Sequence, residues 1–439
     1  MLVMKFGGSS LANGQQIQKA CEIVKSRRDR QPVVVCSAHK GVTDMLINAA
    51  RAAAAGEPDA SKITERQRGV LRELGADEWM LDPYLREIED LLRGISLVRE
   101  VSPRVLDHMQ SFGERMSCRA VAFHFTRAGL KAEAYDAFEL GFITDDHFGQ
   151  ARPVKGYEAG MKAAFAHKVP AGVIPVVTGF IGKTERGEIT TVGRNGSDFS
   201  ATVIAAGVDA VECEIWTDTD GVMTADPNLV KDARNIPTMS FAEASELALY
   251  GGRVLHPSTL LPAVKKNIPV RVLNTNHPEH PGTVITEKGG VETPVTSIAH
   301  KSGQAVLTIE SAVMLGQPGF LARVFDVLGR LKVDVDMIST SEVTVSITCA
   351  PITNLVEVKE ALEQHGRVTI AEKKSLLCIV GKDLKAQAGL GAKIFGALSQ
   401  EQINVEMISH GAKAINLSLL VDDQDVRRAV PALHRALFS

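Results

Sequence analysis

The residues best suited to phosphate chemistry stand at the start of the chain, in "VMKFGGSS" at residues 3–10. The apolar residues 1–6 predict a strand, and paired glycines after a strand let backbone N–H groups approach a phosphate. A Walker loop places its lysine after the glycines, whereas Lys5 comes before them, inside the predicted strand. A lysine held by a strand over a Gly-Gly turn would put a fixed cation beside transferring phosphate oxygens. The order therefore predicts phosphoryl transfer to a substrate that supplies its own oxygen.

Two further stretches carry polar side chains that such a reaction could use. "CSAHKGVTD" at 36–44 follows a predicted strand and offers the hydroxyls of Ser37 and Thr43. Taken alone, it is more typical of an ordinary strand-to-helix loop. "SFGERMSC" at 111–118 lies in a predicted helix and holds Glu114 beside a glycine, although an exposed helix glutamate is common.

A more specific signal is "TTVGRNGSDFSA" at 190–201, in which two glycines bracket Arg194 before an apolar helix. A guanidinium in a glycine loop at a helix start suits a carboxylate ligand. Asp198 there is either functional or a simple helix cap. "WTDTDGVMTADP" at 216–227 places two aspartates and a glycine turn after a strand, which indicates either a β-turn or a nucleotide or Mg²⁺ site.

The elements that must position these residues alternate between strand and helix through the first two-thirds of the chain. Apolar runs at 32–38, 175–182 and 211–218 predict strands, with helices between them, among others at Gln15–Arg28 and Tyr84–Val98. This alternation predicts an α/β fold with a largely parallel sheet covered on both faces. Ligands bind such sheets beyond the carboxyl ends of the strands. We therefore expect the glycine turns to converge on one edge.

Composition narrows the class of protein. The 439 residues carry a net charge of −3, which disfavours a broad nucleic-acid-binding surface. The six cysteines form no zinc or C-x-x-C spacing, so we expect packing residues in a reducing compartment. No targeting segment precedes the first predicted strand, and no apolar run approaches the length of a membrane span. These features predict a cytoplasmic protein that binds neither nucleic acid nor membrane.

The last third contains an internal repeat, after a Pro- and Gly-rich stretch at 276–294. In the first copy "VLTIES" leads to a helix opened by glycine, then "DVDMIST" and "TVSITCA". In the second copy "LLCIVGKD" leads to a similar helix, then "NVEMISH" and "AINLSLLV". Each copy predicts a β-α-β-β unit followed by a helix, at Leu355–Gln364 and Val426–Phe438.

Together these motifs resemble those of the aspartate kinase family. "KFGGSS", "SAHKGVTD", "SFGER", "GRNGSD", "WTDTDGVMTADP" and "GGRVLHP" occur in the family's order, and the repeat is similar to its paired ACT domains. The resemblance implies an amino-acid-kinase αβα sandwich at 1–290 and two α+β, ferredoxin-like ACT domains at 295–375 and 376–439. One ACT domain would be nested in the other and share the strand near 304–311. It also implies Mg²⁺-ATP-dependent phosphorylation of the L-aspartate side chain to 4-phospho-L-aspartate, which begins lysine, threonine and methionine synthesis.

The resemblance assigns roles residue by residue. It implies that Lys5 and Asp198 are catalytic. The residues implied to bind ATP are Lys5, Gly7, Gly8, Ser9, Thr217, Asp218, Met223, Arg253 and Val254. Those implied to bind aspartate are Ser37, Thr43, Glu114, Arg194, Gly196 and Ser197, with Arg194 on the α-carboxylate and Glu114 on the ammonium. Met223, Asn228 and Arg253 depart from the residues common in relatives, at positions where the resemblance implies adenine and ribose contacts.

The repeat resembles lysine-sensitive members of the family. The residues implied to bind an effector are Met314, Gln317, Gly319, Phe320, Leu321, Val335, Asp336, Thr340, Ser341 and Glu342. Asp336 and Glu342 could pair with an ammonium, and the helix after Gly319 suits a carboxylate. Read locally, Gly319 is equally a tight turn and Asp336 a solvated strand end. We expect lysine as effector, with threonine or none as alternatives. Because open sheet edges favour pairing, we also expect a homodimer or a tetramer.

Three other functions remain open. A kinase of the same fold could act on glutamate, acetylglutamate or a nucleoside monophosphate, although the ACT repeats and "SFGER" disfavour this. A catalytically inactive lysine sensor is disfavoured because Lys5, Arg194 and Asp198 are all present. A nicotinamide-linked dehydrogenase is disfavoured because no G-x-G-x-x-G follows the first strand. The length also leaves no room for a fused homoserine dehydrogenase.

Overall fold

The computed structural model describes residues 1–250, 255, 257–290, 294–351, 354–382, 384–411 and 415–438. Contacts between Cα atoms divide the chain into two compact units. The described residues of the first unit fall within 1–222, 237–241 and 254–290. Those of the second fall within 223–236, 242–253 and 291–439.

An eight-stranded sheet forms the centre of the first unit. Its strands are β1 (Leu2–Phe6), β2 (Pro32–Cys36), β3 (Ala132–Tyr135), β5 (Ile174–Thr178), β8 (Glu212–Thr217), β9 (Thr238–Ser240), β10 (Val270–Asn274) and β11 (Thr283–Thr286). The order across the sheet is β3-β5-β2-β1-β8-β10-β11-β9. The first six strands in this order, β3-β5-β2-β1-β8-β10, run parallel. β1, β2 and β5 are buried at every residue, as expected for parallel strands covered on both faces. The predicted α/β fold is confirmed.

The helices of the first unit cover this sheet. They are α1 (Gly14–Ser26), α2 (Val42–Ala55), α3 (Ser61–Leu74), α4 (Asp82–Val98), α5 (Pro103–Arg127), α6 (Tyr157–Lys168), α7 (Gly196–Gly207) and α9 (Pro257–Lys266). Short 3-10 helices occur at Ser9–Leu11, Arg28–Arg30 and Ala137–Leu140. The predicted helices at 15–28 and 84–98 are confirmed to within two residues, because apolar periodicity marks their buried faces.

One expectation about the glycine turns was wrong. The Arg194 turn follows β7 (Ile189–Thr191), which pairs antiparallel with β6 (Ile181–Thr184) and belongs with β4 (Ile143–Thr144) to a separate three-stranded sheet. The turn therefore does not extend from the carboxyl edge of the main sheet. It approaches the other turns because β6 begins three residues after β5 ends.

The second unit is built on a six-stranded antiparallel sheet with the order β13-β14-β12-β15-β17-β16. Its strands are β12 (Ser297–Glu310), β13 (Val335–Thr340), β14 (Thr344–Cys349), β15 (Arg367–Val380), β16 (Met407–Ser409) and β17 (Asn416–Asp422). Its helices are α10 (Phe320–Arg330), α11 (Leu355–Glu363), α12 (Leu390–Gln400) and α13 (Val426–Phe438), and α8 (Phe241–Leu249) lies mostly within this unit. Short 3-10 helices occur at Ala312–Met314, Leu384–Ala386 and Asp423–Asp425.

The two sequence repeats share the long strands β12 and β15. Residues 305–310 of β12 pair with β14, whereas residues 297–301 pair with 376–380 of β15, beside β17. The second copy therefore receives its last strand from residues that precede the first copy. Gly319 and Gly389, immediately before α10 and α12, both adopt a left-handed φ that favours glycine. The predicted repeat of β-α-β-β units is confirmed.

The compact units differ from the continuous domain predicted at 1–290. Residues 223–236 and 242–253 belong to the second unit. The physical reason is apolar burial, because Ala225 and Val230 lie in a core cluster with Ile298, Leu377 and Leu419. The predicted domains at 1–290, 295–375 and 376–439 all stay predictions.

Two observations bear on the environment of the protein. All six cysteines are buried and unpaired, as expected for packing residues. Within the described part of the chain, no helix combines the length and apolar character that crossing a membrane requires.

Candidate active site

A cleft of about 680 Å³ in the first unit brings together most of the predicted site residues. Those that line it are Lys5, Gly8, Ser37, Thr43, Glu114, Arg194, Gly196, Ser197 and Asp198. They come from four separate stretches of sequence. Gly7, Ser9, Thr217, Asp218 and Met223 are not among the lining residues.

Lys5 extends from β1 toward the glycine turn, as its position predicted. The residue is 7% exposed, and its Nζ lies 2.5 Å from Oδ1 of Asp198 at the start of α7. A Cβ at Gly7 would lie 3.4 Å from the same Nζ, so the ammonium stands directly over the turn. Because strand and helix both belong to the core, the cation is fixed before any ligand binds.

The backbone of the glycine turn differs from expectation at one residue. The N–H of Gly7 donates to the carbonyl oxygen of Trp216 at 3.1 Å, which continues the pairing of β1 with β8. The Gly7 N–H is therefore engaged within the protein. It is not free to bind phosphate, although the sequence suggested that it would be. Gly8 and Ser9 stand at the N-terminus of the following 3-10 helix, and Gly8 packs closely enough that a Cβ would lie 3.0 Å from the Ala38 carbonyl.

Glu114 is buried in α5 and faces the cleft rather than solvent. Its Oε1 accepts a 3.1 Å hydrogen bond from the N–H of Ala38, and no described group hydrogen bonds to Oε2. Burial raises the pKa of the Glu114 carboxyl from its ordinary 4.5 to about 8, and the Ala38 N–H partly opposes this rise. Gly113 permits the close approach of α5, since a Cβ there would lie 2.8 Å from Cβ of Ala38. This carboxyl suits a cationic ligand group.

Arg194 occupies the tip of the turn between β7 and α7. Gly193 and Asn195 on either side of it adopt left-handed backbone conformations, and Arg194 is exposed. Among the described residues no carboxylate pairs with its guanidinium, although it lines the cleft. The turn is held close to β5 because Gly179 lacks a Cβ, which would lie 2.8 Å from Cβ of Ser197.

Sequence reasoning missed two buried residues that line the cleft. Nδ1 of His39 lies 2.7 Å from the carbonyl oxygen of Leu11, so His39 joins the Ser37–Thr43 loop to the helix after the glycine turn. Burial lowers the pKa of His39 to about 4, so its ring is neutral. Asp107 accepts from the N–H groups of Gly149 and Thr191, both at 2.8 Å, which fixes the strand before the Arg194 turn. Its spacing of seven residues from Glu114 on one helix was an available signal.

The predicted nucleotide-binding residues are only partly assembled. Thr217 ends β8, and its hydroxyl lies 3.3 Å from the carboxylate of the exposed Asp218. Met223 belongs to the second unit, where it forms an isolated bridge with Asn235. Arg253 and Val254 lie outside the described residues. Their nucleotide contacts stay predictions.

Comparison with known proteins agrees with this geometry. Residues 1–274 match the amino acid kinase family, and residues 307–365 and 377–437 match the ACT domain. Aspartokinase 2, chloroplastic, of Arabidopsis thaliana is 38% identical over 99% of this chain and 84% of its own length. Lysine-sensitive aspartokinase 3 of Escherichia coli (strain K12) is 34% identical over 100% of this chain and 99% of its own. The chain belongs to the aspartokinase family.

Two solved structures of an aspartokinase are similar to this chain over its full length. The structure of E. coli aspartokinase III with aspartate and ADP, called the R-state, has a TM-score of 0.83 at 32% identity and covers 100% of both chains. The same enzyme with lysine and aspartate, called the T-state, has a TM-score of 0.78 at 33% identity, again over 100% of both chains. The aspartokinase described here is therefore a kinase enzyme with ACT domains.

The predicted effector residues of this aspartokinase lie in the first repeat. Most are wholly or partly exposed, whereas the side chain of Phe320 is 3% exposed and packs in the core of that repeat. The ring of Phe320 therefore packs α10 against the core and is not exposed to a ligand. Asp336 already holds an ammonium, that of Lys301.

Proposed function

We propose that this aspartokinase transfers the γ-phosphoryl group of ATP to the side-chain carboxylate of L-aspartate through the residues of the cleft. The observation that carries the proposal is the fixed Lys5–Asp198 pair over the glycine turn, in one cleft with Glu114 and Arg194. The guanidinium of Arg194 and the ionised form of Glu114 match the two charges of a zwitterionic amino acid. Arg194 would bind the α-carboxylate and Glu114 the ammonium, with Ser37, Thr43, Gly196 and Ser197 completing the site.

The proposed reaction needs no protein nucleophile. The aspartate side chain is already ionised at neutral pH, so its oxygen attacks the γ-phosphorus without a general base. A new O–P bond forms, the bond from phosphorus to the bridging oxygen breaks, and ADP leaves with the electron pair. Lys5 would neutralise charge on the phosphate oxygens while the amides of Gly8 and Ser9 contact them. Asp198 keeps the Lys5 ammonium in place.

The residues present fit a magnesium ion that arrives with the nucleotide. Mg²⁺ usually binds one or two carboxylates together with substrate phosphates, and keeps several waters. Asp198 supplies a carboxylate at the cleft, and among the described residues no group of three acidic, His or Cys side chains forms a ready-made metal cage. Bound there, Mg²⁺ would neutralise phosphate charge, and Asp198 would be the residue of this chain that holds it.

Lys5→Ala tests the catalytic proposal. We expect kcat with aspartate and MgATP to fall by about a hundredfold or more, because the fixed cation acts mainly on the transition state. Lys62→Ala, at an exposed lysine in α3, is the control and should retain full activity. Circular dichroism must show that both variants fold. Near-normal turnover by a folded Lys5→Ala enzyme would contradict the assignment.

We further propose that lysine inhibits the enzyme through the first repeat. Support comes from the E. coli relative, which is called lysine-sensitive and has been solved with lysine. Exposed apolar side chains at Val313, Leu315, Leu321, Phe325 and Val343 mark the same repeat and support a homodimer through it. Initial rates with lysine and with threonine test the effector, and sedimentation at several protein concentrations tests dimer against tetramer.

The cellular setting is part of the same proposal. Because the product would be 4-phospho-L-aspartate, the reaction would be the first step of lysine, threonine and methionine synthesis. The six unpaired, buried cysteines support a reducing compartment, which for this enzyme would be the cytoplasm.

A further inference from the structure

The carboxylate of Asp336, predicted to bind an effector ammonium, is already occupied by a lysine of the same chain. Nζ of Lys301 lies 2.8 Å from Oδ1 and 2.7 Å from Oδ2 of Asp336. The Lys301 side chain is 29% exposed and that of Asp336 is 21% exposed. A half-buried ammonium thus bridges both oxygens of the group that a cationic effector needs.

The surroundings hold this pair in place. Lys301 stands at an irregularity of β12, where its pairing with β15 shifts between Lys301 and Gln304. The side-chain amide of Gln304 is oriented so that its nitrogen faces two acceptors. It donates to Oδ2 of Asp336 at 2.8 Å and to the carbonyl oxygen of Cys349 at 3.2 Å. The N–H of Gly303, in a left-handed conformation, donates to Asp423 at 3.1 Å. Asp336 therefore has a built polar environment, and among the described residues the cation that pairs with it is Lys301.

The second repeat offers an internal comparison. Its "VEMIS" motif places Glu406 where the first repeat has Asp336, and Nζ of Lys374 lies 2.5 Å from Glu406 and 2.7 Å from Asp422. Both repeats thus neutralise the acidic residue of this motif with a lysine from a long shared strand. The resemblance to lysine-sensitive relatives marks only Asp336 as an effector residue. Lys374 is accordingly a matched ion-pair control.

We propose that Lys301 is an internal competitor for the effector ammonium, and that the effector binds Asp336 only by displacing it. The inference rests on the proposed lysine regulation. A single carboxylate cannot neutralise two ammonium groups at ion-pair distance without bringing two like charges together. Because Lys301 lies on β12, which both repeats share, its displacement changes a contact at the centre of the second unit.

The competition predicts the direction of a mutational effect. If an internal ligand occupies the site with equilibrium constant K, the observed affinity for the effector is divided by 1 + K. A partly exposed ion pair corresponds to a K of only a few, so removing it should tighten effector binding about fivefold or less. Ordinary loss of a structural residue would weaken effector binding instead.

Lys301→Met is the direct test, because methionine retains an unbranched apolar side chain and removes the charge. Lys301→Gln serves as a second variant in case methionine disturbs folding, and Lys374→Met is the control. The full-length proteins are compared by the lysine concentration for half-inhibition and by calorimetric titration with lysine. Turnover without lysine is measured in parallel.

We expect Lys301→Met or Lys301→Gln to lower the half-inhibiting lysine concentration and Kd about threefold to fivefold. Lys374→Met should leave both unchanged, and basal turnover should be unchanged in all variants. A lysine response that appears only in the Lys301 variants also supports the inference. An unchanged or weaker response in folded Lys301 variants overturns the inference while the proposed regulation stands. No response to lysine in any protein overturns the regulation and the inference together, and basal turnover still reports separately on the catalytic proposal.

Discussion

The buried carboxyl of Glu114 makes the affinity for aspartate depend on pH. With a pKa of about 8, set mainly by burial, the empty cleft holds about ten neutral carboxyls for each ionised one at pH 7 and about a hundred at pH 6. The proposed ammonium contact requires the ionised form. The KM for aspartate should therefore fall about fiftyfold between pH 6 and pH 8 and level off above pH 8, while kcat changes little.

Glu114→Gln removes the titration and the charge together. Gln can still accept from the N–H of Ala38, but it presents an amide, which the ammonium does not favour. We expect KM for aspartate to rise about tenfold or more relative to wild type at pH 8 and to lose its pH dependence. Initial rates over aspartate concentration, from pH 6 to 8.5 at saturating MgATP, give both parameters.

The raised pKa of Glu114 also affects stability. Ionisation of this carboxyl favours aspartate binding but lowers the free energy of unfolding. In the folded protein the carboxyl resists ionisation, whereas in the unfolded chain it ionises near pH 4.5. Its cost to folding is thus absent below pH 4.5, grows as pH rises, and reaches about 5 kcal/mol near pH 8. Glu114→Gln should raise the melting temperature at pH 8 but hardly at pH 5.

Glu214→Gln provides the control for the KM measurement. Glu214 is also buried, but it pairs with Arg27 and does not line the cleft. Its replacement should leave the KM profile intact. The reasoning fails if wild-type KM is constant from pH 6 to 8, or if Glu114→Gln leaves KM for aspartate at the wild-type value.

Two other variants test the turns around the cleft. Arg194→Lys retains the charge but loses the planar guanidinium that binds a carboxylate through two hydrogen bonds. KM for aspartate should therefore rise about tenfold while KM for ATP stays constant. A change in KM for ATP alone would contradict the assignment. His39→Leu leaves the carbonyl of Leu11 without its donor and should cost about 1–3 kcal/mol of unfolding free energy. His39→Asn, which retains a donor near the Nδ1 position, should restore most of this stability in chemical denaturation, and equal losses in both variants would argue against the hydrogen bond.

Much of the fold and of the cleft was readable in the sequence. Apolar runs followed by glycine turns predicted the strands of the main sheet, because parallel strands buried on both faces must be continuously apolar. The recurrence of "MIS" after a glycine-opened helix predicted both repeats. The cleft joins Lys5, Glu114, Arg194 and Asp198, which the resemblance had assigned to one site, while their catalytic and binding roles stay predictions.

Tertiary structure decided what depends on burial and on contacts between distant residues. The raised pKa of Glu114 arises from the packing of α5 against the loop at Ala38, which no local pattern reveals. The engagement of the Gly7 amide with Trp216 depends on strand order. The pairing of Lys301 with Asp336 joins residues 35 positions apart. Sequence periodicity reports which face of an element is buried, but desolvation and ion pairing depend on which elements meet, and only the folded chain determines that.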